Sequence, residues 1–357
     1  MPSSDKRPEE LAEELLQFIN PDMARNEWAN IGMALKYELG EDVAHQLFRN
    51  WSQQSKKFSE SDFTDTWKSI RPGSFKMGTL VHYAKQEGWT GEIPRLSHEE
   101  QLKRDAQRQQ EVEAANQKME ADRREARRLA SYFWSKSNIP NLDHAYLVKK
   151  NITEPKGVKE FTAKNGARYI QVPCFNKEGV LMSLQSIGEN GYKGFQKGAQ
   201  VTGGSMSIGK NKQNANLPVI ICEGWATGMS LNKASGLQVV VAFNSANLGN
   251  IVSNVREAYP NRSIIIAADN DFENKGGNVG YTKSLQAAER IGNTNVAVIL
   301  PEFSTEEIDA FKAKFDGAAP TDFNDIDVFL GDEILKNQVL KQIENNLEFV
   351  QSNELSL

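Results

Sequence analysis

Five carboxylates in the second half of the chain stand where side chains can act together. Glu223 directly follows the apolar run Val219 to Cys222. Asp269 and Asp271 directly follow the run Ser263 to Ala268, and Asp322 and Asp325 belong to the segment Thr321-Asp322-Phe323-Asn324-Asp325, behind a Gly-Ala-Ala-Pro turn. Being two apart, Asp269 and Asp271 point to the same side of an extended backbone. Side chains just beyond the carboxyl ends of parallel strands converge on a crevice, whatever chemistry the fold carries. Like charges held together there raise one another's pKa unless a cation compensates them, so the group implies bound divalent metal. Oxygen ligands without His or Cys favour Mg2+ or Mn2+ over zinc. Each motif alone also has a plainer reading, since Asp and Glu at strand ends cap helices and Asp-x-Asp is common. Their joint order is what points to chemistry.

These acids need a sheet to hold them. Three β-branched runs, Val219 to Cys222, Gln238 to Phe243 and Ser263 to Ala268, alternate with helical stretches at Thr227 to Ser235 and Asn247 to Tyr259. A helix near Tyr281 to Ile291 leads to a fourth run, Asn295 to Leu300. Continuous apolar strands alternating with helices indicate a parallel sheet covered on both faces. Upstream, the β-like runs Tyr169 to Pro173 and Val180 to Ile187, separated by Asn-Lys-Glu-Gly and Gly-Glu-Asn-Gly turns among many lysines, read as a small basic α+β subdomain. From Ser97 to Leu129 there is no Gly or Pro and an abundance of Glu, Lys, Arg, Gln and Ala, which predicts one long exposed helix linking two domains. Between Pro8 and Trp89, apolar residues at helical spacing such as Trp28, Ile31, Leu35 and Leu39 predict a compact helical module, with a turn at Arg71-Pro72-Gly73. The expected fold class is therefore α/β. A helical module at 1–92 is joined by a charged helical linker at 93–130 to the basic α+β subdomain at 131–216. The parallel-sheet domain at 217–331 and a helical, then polar, tail at 332–357 follow.

Composition narrows the classes further. With 357 residues, 39% hydrophobic and a net charge of -5, the chain has the make-up of a globular protein of two or three domains at roughly 150 residues each. Mild acidity argues against coating nucleic acid by bulk charge, while leaving room for a local basic groove. No apolar run approaches the roughly 20 residues needed to cross a bilayer, and the first residues lack the apolar stretch of a signal peptide. The expected compartment is reducing cytoplasm, without membrane contact. Cys174 and Cys222, with His45, His82, His98 and His144, are not spaced as zinc ligands, so no zinc is expected and the cysteines read as reduced packing residues. The histidines all precede the sheet domain, so no Ser/His/Asp or Cys/His nucleophile can be assembled there. Gly204 to Lys210 matches the opening of a phosphate-binding loop, but Asn211 replaces the Ser or Thr that would hold magnesium and a polar stretch follows, so no ATPase motor is expected.

Read together, Ile221-Cys222-Glu223-Gly224-Trp225-Ala226-Thr227-Gly228, Ile266-Ala267-Ala268-Asp269-Asn270-Asp271 and Thr321-Asp322-Phe323-Asn324-Asp325 resemble a Toprim domain. The wording Glu-Gly-Trp-Ala-Thr-Gly with the later Thr-Asp-Phe-Asn-Asp is most similar to plasmid- and phage-encoded DnaG-like primases. Asn165-Gly166-Ala167-Arg168-Tyr169, Leu184-Gln185-Ser186-Ile187 and Gly191-Tyr192-Lys193-Gly194-Phe195 resemble the basic subdomain that precedes Toprim in those proteins. By that resemblance Glu223 is the catalytic acid, Asp269 and Asp271 are catalytic metal ligands, and Asp322 and Asp325 form the third acidic motif, all five sharing the metal. Arg168, Lys193 and Lys197 are expected to face template, primer or nucleotide phosphates, and Gln185 stands where cellular primases carry an arginine. Trp28-x-x-Ile31-Gly32-x-Ala34-Leu35, Phe48-x-x-Trp51-Ser52 and Phe63-x-x-x-Trp67 resemble the primase-associated PriCT module, with their aromatics at the spacing of a helical core.

The resemblance implies a nucleotidyltransferase, a DNA-directed RNA polymerase of the primase type. It would make short RNA primers on single-stranded DNA from ribonucleoside triphosphates by two-metal phosphoryl transfer, for replication of a mobile element or phage. Any replicative helicase or initiator would be a separate chain. Two alternatives use the same residues differently: a Toprim nuclease that directs water at a phosphodiester, and a non-catalytic single-strand-binding accessory that keeps Toprim as a scaffold.

Overall fold

The computed structural model describes residues 7–70, 73, 75–92, 98–209, 217–273, 277–292 and 295–354. Arg71 and Pro72 of the expected turn, the expected boundary at 92/93, and Lys210 and Asn211 of the phosphate-loop-like run lie outside the described residues or at their edge. The chain forms two compact units, 1–111 and 112–357.

The first unit contains helices α1 (Pro8–Phe18), α2 (Arg25–Leu39), α3 (Glu41–Ser52), α4 (Glu60–Ser69) and α5 (Met77–Gln86). Pro8 sits in the first turn of α1, where its missing N–H costs nothing. Gly40, at φ +77°, turns the chain between α2 and α3. The core is aromatic: Phe48, Trp51, Phe63, Trp67 and Trp89 pack with Leu15, Leu35 and Leu80. Burying indoles requires partners for their N–H groups. Trp51 donates to the Ile19 carbonyl at 2.9 Å, Trp67 to Glu41 at 2.8 Å and Trp89 to Glu14 at 3.0 Å. Gly32 lets α2 approach α3, since a Cβ there would stand 2.8 Å from Phe48 Cε1.

Helix α6 (His98–Lys136) continues well past its expected end at Leu129. Beyond Leu129 it buries Ala130 and sets the Phe133 ring edge-on to Phe161, 4.9 Å between centroids, so packing holds the added turns. After α7 (Ala145–Lys149), strands β1 (Lys159–Thr162), β2 (Arg168–Phe175), β3 (Leu181–Gly188) and β4 (Lys193–Phe195) form an antiparallel meander.

The second sheet has the order β5-β7-β6-β8-β9, built from β5 (Met206–Ile208), β6 (Val219–Cys222), β7 (Gln238–Val241), β8 (Ile264–Ala267) and β9 (Val296–Ile299). Strands β7, β6, β8 and β9 are parallel, as expected. The added edge strand β5 is antiparallel, and it lies inside the phosphate-loop-like run. Met206 and Ile208 are buried on either side of exposed Ser207, an alternation that suits an edge strand rather than a phosphate cradle.

Alternation also divides the sheet's side chains between two cores. Ile220, Cys222, Val239, Val241 and Ile265 pack with helices α8 (Trp225–Ser235), α12 (Phe323–Phe329) and α13 (Asp332–Glu354). Val219, Ile221, Val240, Ile264 and Ile266 pack with α9 (Ser245–Ala258) and α10 (Val279–Arg290). Helix α11 (Thr305–Lys314) precedes α12. Burying each large aliphatic side chain contributes about 1.5–3 kcal/mol, so both helical layers are anchored to the strands. Cys174 and Cys222 are buried and reduced, and burial pushes the Cys174 thiol up to about 12.

Candidate active site

Strand register brings the acids to one edge. Cys222 pairs with both Val241 and Ala267, and Ala267 pairs with Ile299, so four parallel strands end level. Glu223 is the next residue of β6, and Asp269 follows β8 by two. Pairing continues just past the ends, where Phe243 N–H donates to the Glu223 carbonyl at 2.9 Å and Ala268 N–H to the Ile299 carbonyl at 3.0 Å. The carboxylates are held by this frame rather than by flexible loops.

A cavity of about 200 Å³ opens there, lined by Lys150, Lys193, Glu223, Thr227, Phe243, Asp269 and Asp322 together with Gly224 and Ala226. Burial, then the Asp271 charge, pushes Glu223 up to about 7, partly offset by a hydrogen bond from the Ser245 backbone N–H. Asp269 is raised well above the carboxylate range by burial and then by Asp322, Glu223 and Asp271. Its Oδ1 is buried without a hydrogen-bond partner. Asp271 does not line the cavity, but its charge reaches both Glu223 and Asp269.

Asn278 holds this loop. It accepts from the Asp271 backbone N–H at 3.2 Å, donates to Asn270 at 2.7 Å, and caps α10 through the Tyr281 N–H at 3.2 Å. Gly280 lets α10 come close, since a Cβ would lie 2.8 Å from the Asp269 carbonyl oxygen. Asp322 is the N-cap of α12 and accepts from the Asp325 N–H at 2.9 Å. Asp325 Oδ2 accepts from the Thr321 and Asp322 N–H groups at 2.9 and 3.3 Å, and its Oδ1 faces Lys150 Nζ at 3.5 Å. The plainer capping reading therefore holds for part of the third motif, which serves both the helix and the cavity.

The basic residues separate. Lys193 lines the cavity, and its ammonium pKa is lowered by burial and then by Lys150. Arg168, at the start of β2, is not brought there. Its guanidinium pairs with Asp143 at 2.5 Å and Glu189 at 2.7 Å, with Glu160 at 3.9 Å. Lys197 is exposed in the turn after β4 and does not line the cavity. Gln185 is buried in β3, opposite Phe195 of β4.

Several residues were not singled out from sequence. Lys150, just past α7, is the second cation of the cavity, and Asn324 fixes it by donating to its carbonyl at 2.8 Å. Thr227 was visible only as one letter of the Glu-Gly-Trp-Ala-Thr-Gly motif. Phe243, with φ +70°, carries an unusual backbone that marks the turn out of β7.

Among the described residues, no three Asp, Glu, His or Cys side chains close on a single ion position as they stand. The donor chemistry nonetheless fits a hard divalent cation: oxygen-only ligands, carboxylates that raise one another's pKa, and a buried Asp269 oxygen without a donor.

The fold and these strand ends define the class. Residues 218–332 match the sequence model of the Toprim domain family, and residues 12–84 match that of Primase C terminal 2 (PriCT-2). The chain thus carries a Toprim domain with a PriCT-2 module ahead of it, an arrangement similar to that of plasmid and phage primases.

Over 166 residues it is 32% identical to a DNA primase TraC of Escherichia coli, an alignment covering 45% of this chain and 11% of the relative. A second DNA primase TraC of Escherichia coli is 30% identical over 166 residues, covering 45% of this chain and 15% of the relative. The matched region is thus a small part of both curated relatives. Among solved structures, the primase fragment of the bacteriophage T7 primase-helicase protein aligns with 58% of this chain and 80% of its own length, at 14% identity and a TM-score of 0.39. That likeness is too loose to carry a structural argument.

Proposed function

We propose that the chain is a DNA primase, a nucleotidyltransferase that joins ribonucleoside triphosphates into short RNA primers on single-stranded DNA. The observation that carries this reading is the pairing of acids and cations in one cavity: Glu223, Asp269 and Asp322 beside Lys150 and Lys193. The likeness to two DNA primases supports it. In this reading Asp269, Asp271 and Asp322, with Glu223 adjoining, hold Mg2+ or Mn2+, and Asp325 orients Asp322 through the α12 cap. The bound cations supply positive charge to a phosphoryl transfer.

The chain's own residues do the positioning. Lys150 receives triphosphate oxygens, Lys193 receives phosphate of the primer strand as well as of the nucleotide, and Thr227 also lines the cavity. Glu223 faces the attacking 3′-hydroxyl and accepts its proton. Lys197 and Arg168 contact strand phosphates outside the cavity, which for Arg168 requires phosphate to compete with Asp143 and Glu189. The subdomain at 131–216 presents these cations to the Toprim domain at 217–331, and residues 93–130 link both to the module at 1–92. A helicase or initiator would be supplied as a separate chain. No helix among the described residues is long and apolar enough to cross a membrane.

The test is incubation with single-stranded DNA, ribonucleotides and Mg2+ or Mn2+. Short RNA products that disappear in Asp271→Ala support the reading. Their absence over varied templates, or DNA nicking without nucleotides, overturns it, the latter in favour of a nuclease.

A further inference from the structure

Four tryptophans occupy the helical unit, and the fold treats one of them differently. Trp51, Trp67 and Trp89 are buried, at 3, 7 and 4% exposure. Trp28 is only partly buried and borders a cavity of about 250 Å³ between the start of α2, the end of α3 and the start of α4. Its indole N–H is already committed to Ser52 Oγ at 2.8 Å, so the ring offers the cavity carbon surface rather than a donor. Phe58 supplies a second aromatic wall, its ring 6.1 Å from that of Phe63, and Met23, Ser55 and Ser59 also line the cavity, the Ser55 hydroxyl donating to Asp22 and the Ser59 hydroxyl capping α4.

The rim carries two cations, Arg25 and Lys57, set against the carboxylates of Asp62 and the nearby Asp22. Arg25 opens α2, Lys57 stands just ahead of α4, and the N-terminal ends of both helices reach the cavity. Arg25 pairs with Asp62 at 3.3 Å, but the two side chains are 65 and 59% exposed, so this is an open pair that another anion can replace. Lys57 Nζ is anchored on the Asp22 carbonyl at 3.0 Å, which keeps its charge beside the opening.

Aromatic walls with an arginine and a lysine at the rim recognise a flat heterocycle carrying a phosphate, which here takes the place of Asp62 on Arg25. The volume lies below the roughly 300–1,000 Å³ of drug-sized sites, which limits the occupant to a single unit. An apolar peptide side chain would use the walls but draw nothing from Arg25, whose exposed pair with Asp62 can be exchanged, or from Lys57. We propose that this cavity binds one nucleotide unit, its base against Trp28 and Phe58 and its phosphate toward Arg25 and Lys57. The site is separate from the acid cavity and stands whether or not primer synthesis is the chain's activity. The nucleotide can belong to a single strand or be free in solution, because the same chemistry recognises both.

The experiment uses the full chain carrying Lys150→Glu and Lys193→Glu, without divalent cation, so that the acid cavity contributes little. A single-stranded oligonucleotide bearing 5-iodouracil is crosslinked by light and the attached peptide identified. AMP and the oligonucleotide are then titrated by calorimetry. The expected result is a crosslink in the peptide holding Trp28 or Phe58, with affinity lowered at least about fivefold in Phe58→Ala, the lower bound for losing one stacked base, and also lowered in Lys57→Glu. Lys57 is exposed, so a loss in Lys57→Glu is not a folding defect. Sensitivity of oligonucleotide binding alone assigns the site to a strand, and sensitivity of AMP binding assigns it to free nucleotide. Crosslinks confined to 112–357, or unchanged affinity for both probes in both variants, overturn the proposal.

Discussion

Two groups of carboxylates in the second unit meet opposite fates. Around Arg168, Asp143 and Glu189 each take one end of a guanidinium, Glu160 stands nearby, and Glu189 is held below its ordinary pKa by its hydrogen bond to Arg168. At the strand ends, Glu223 is forced upward by burial and by Asp271, and Asp269 by burial and by Asp322, Glu223 and Asp271, although Lys193 lies in the same cavity. Both groups are dense in charge, yet only the second is left uncompensated. Structural ion clusters satisfy themselves, whereas a group that keeps like charges together at a cost is organised for something that arrives later. The buried Asp327 belongs with the first kind: Lys233 reaches it at 2.6 Å, Ser230 at 2.7 Å and Asn151 at 3.1 Å.

The sharpest way to break this contrast is to neutralise each group. Asp269→Asn should lower primer synthesis by about 10²–10³-fold, the scale of losing a preorganised charge, while raising the melting temperature of the cation-free protein at neutral pH. If activity survives, the uncompensated group is not the site. Lys233→Ala should do the reverse, sparing the chemistry but destabilising the fold by about 2–3 kcal/mol in urea denaturation. That is somewhat less than the roughly 3–5 kcal/mol for a fully buried pair, because Lys233 is 36% exposed.

A third expectation concerns pH. Glu223 is raised in the fold, so the native state binds more protons than the unfolded chain, and stability falls as pH rises from about 4.5 to about 7. Allowing for partial exposure, the loss is about 1–2 kcal/mol. Melting curves across that window should show it, Glu223→Gln should flatten it, and added Mg2+ should restore stability at the alkaline end. A melting temperature that rises with pH through the window in the cation-free protein would remove the argument from repulsion.

Much of the sheet was legible because its signals are local. Val219 to Cys222 is continuously apolar and stops at Glu223, so strand, burial and the place of the acid follow together. Asp322 was legible in a motif, but its second duty as helix cap needed the α12 geometry. Lys150 was obscured because its neighbourhood is rich in lysine, and what distinguishes it is a contact with Asn324, 174 residues away. Strand β5 was missed because three residues carry too little periodicity, and an edge position is a property of the sheet rather than of the segment. Trp28 has the same helical spacing as its buried neighbours, and only packing shows which aromatic is left beside a cavity.

The smallest expected effect separates the two cations that the sequence treated alike. Arg168 already has two carboxylate partners, so a phosphate must displace at least one, and the exchange gains little net charge interaction. Lys193 has no carboxylate at ion-pair distance among the described contacts, and burial together with Lys150 makes its positive charge costly until an anion approaches. Single-stranded DNA binding measured against salt in the presence of nucleotide should therefore have its log–log slope reduced by about 0.7, the share of one phosphate contact, in Lys193→Ala, and by less in Arg168→Ala. Equal losses would mean that Arg168 releases its carboxylates on binding, and the group around it would then be a switch rather than a clamp. A larger loss in Arg168→Ala would reverse the contrast, placing the strand along the antiparallel meander and leaving the strand-end cavity to nucleotide alone.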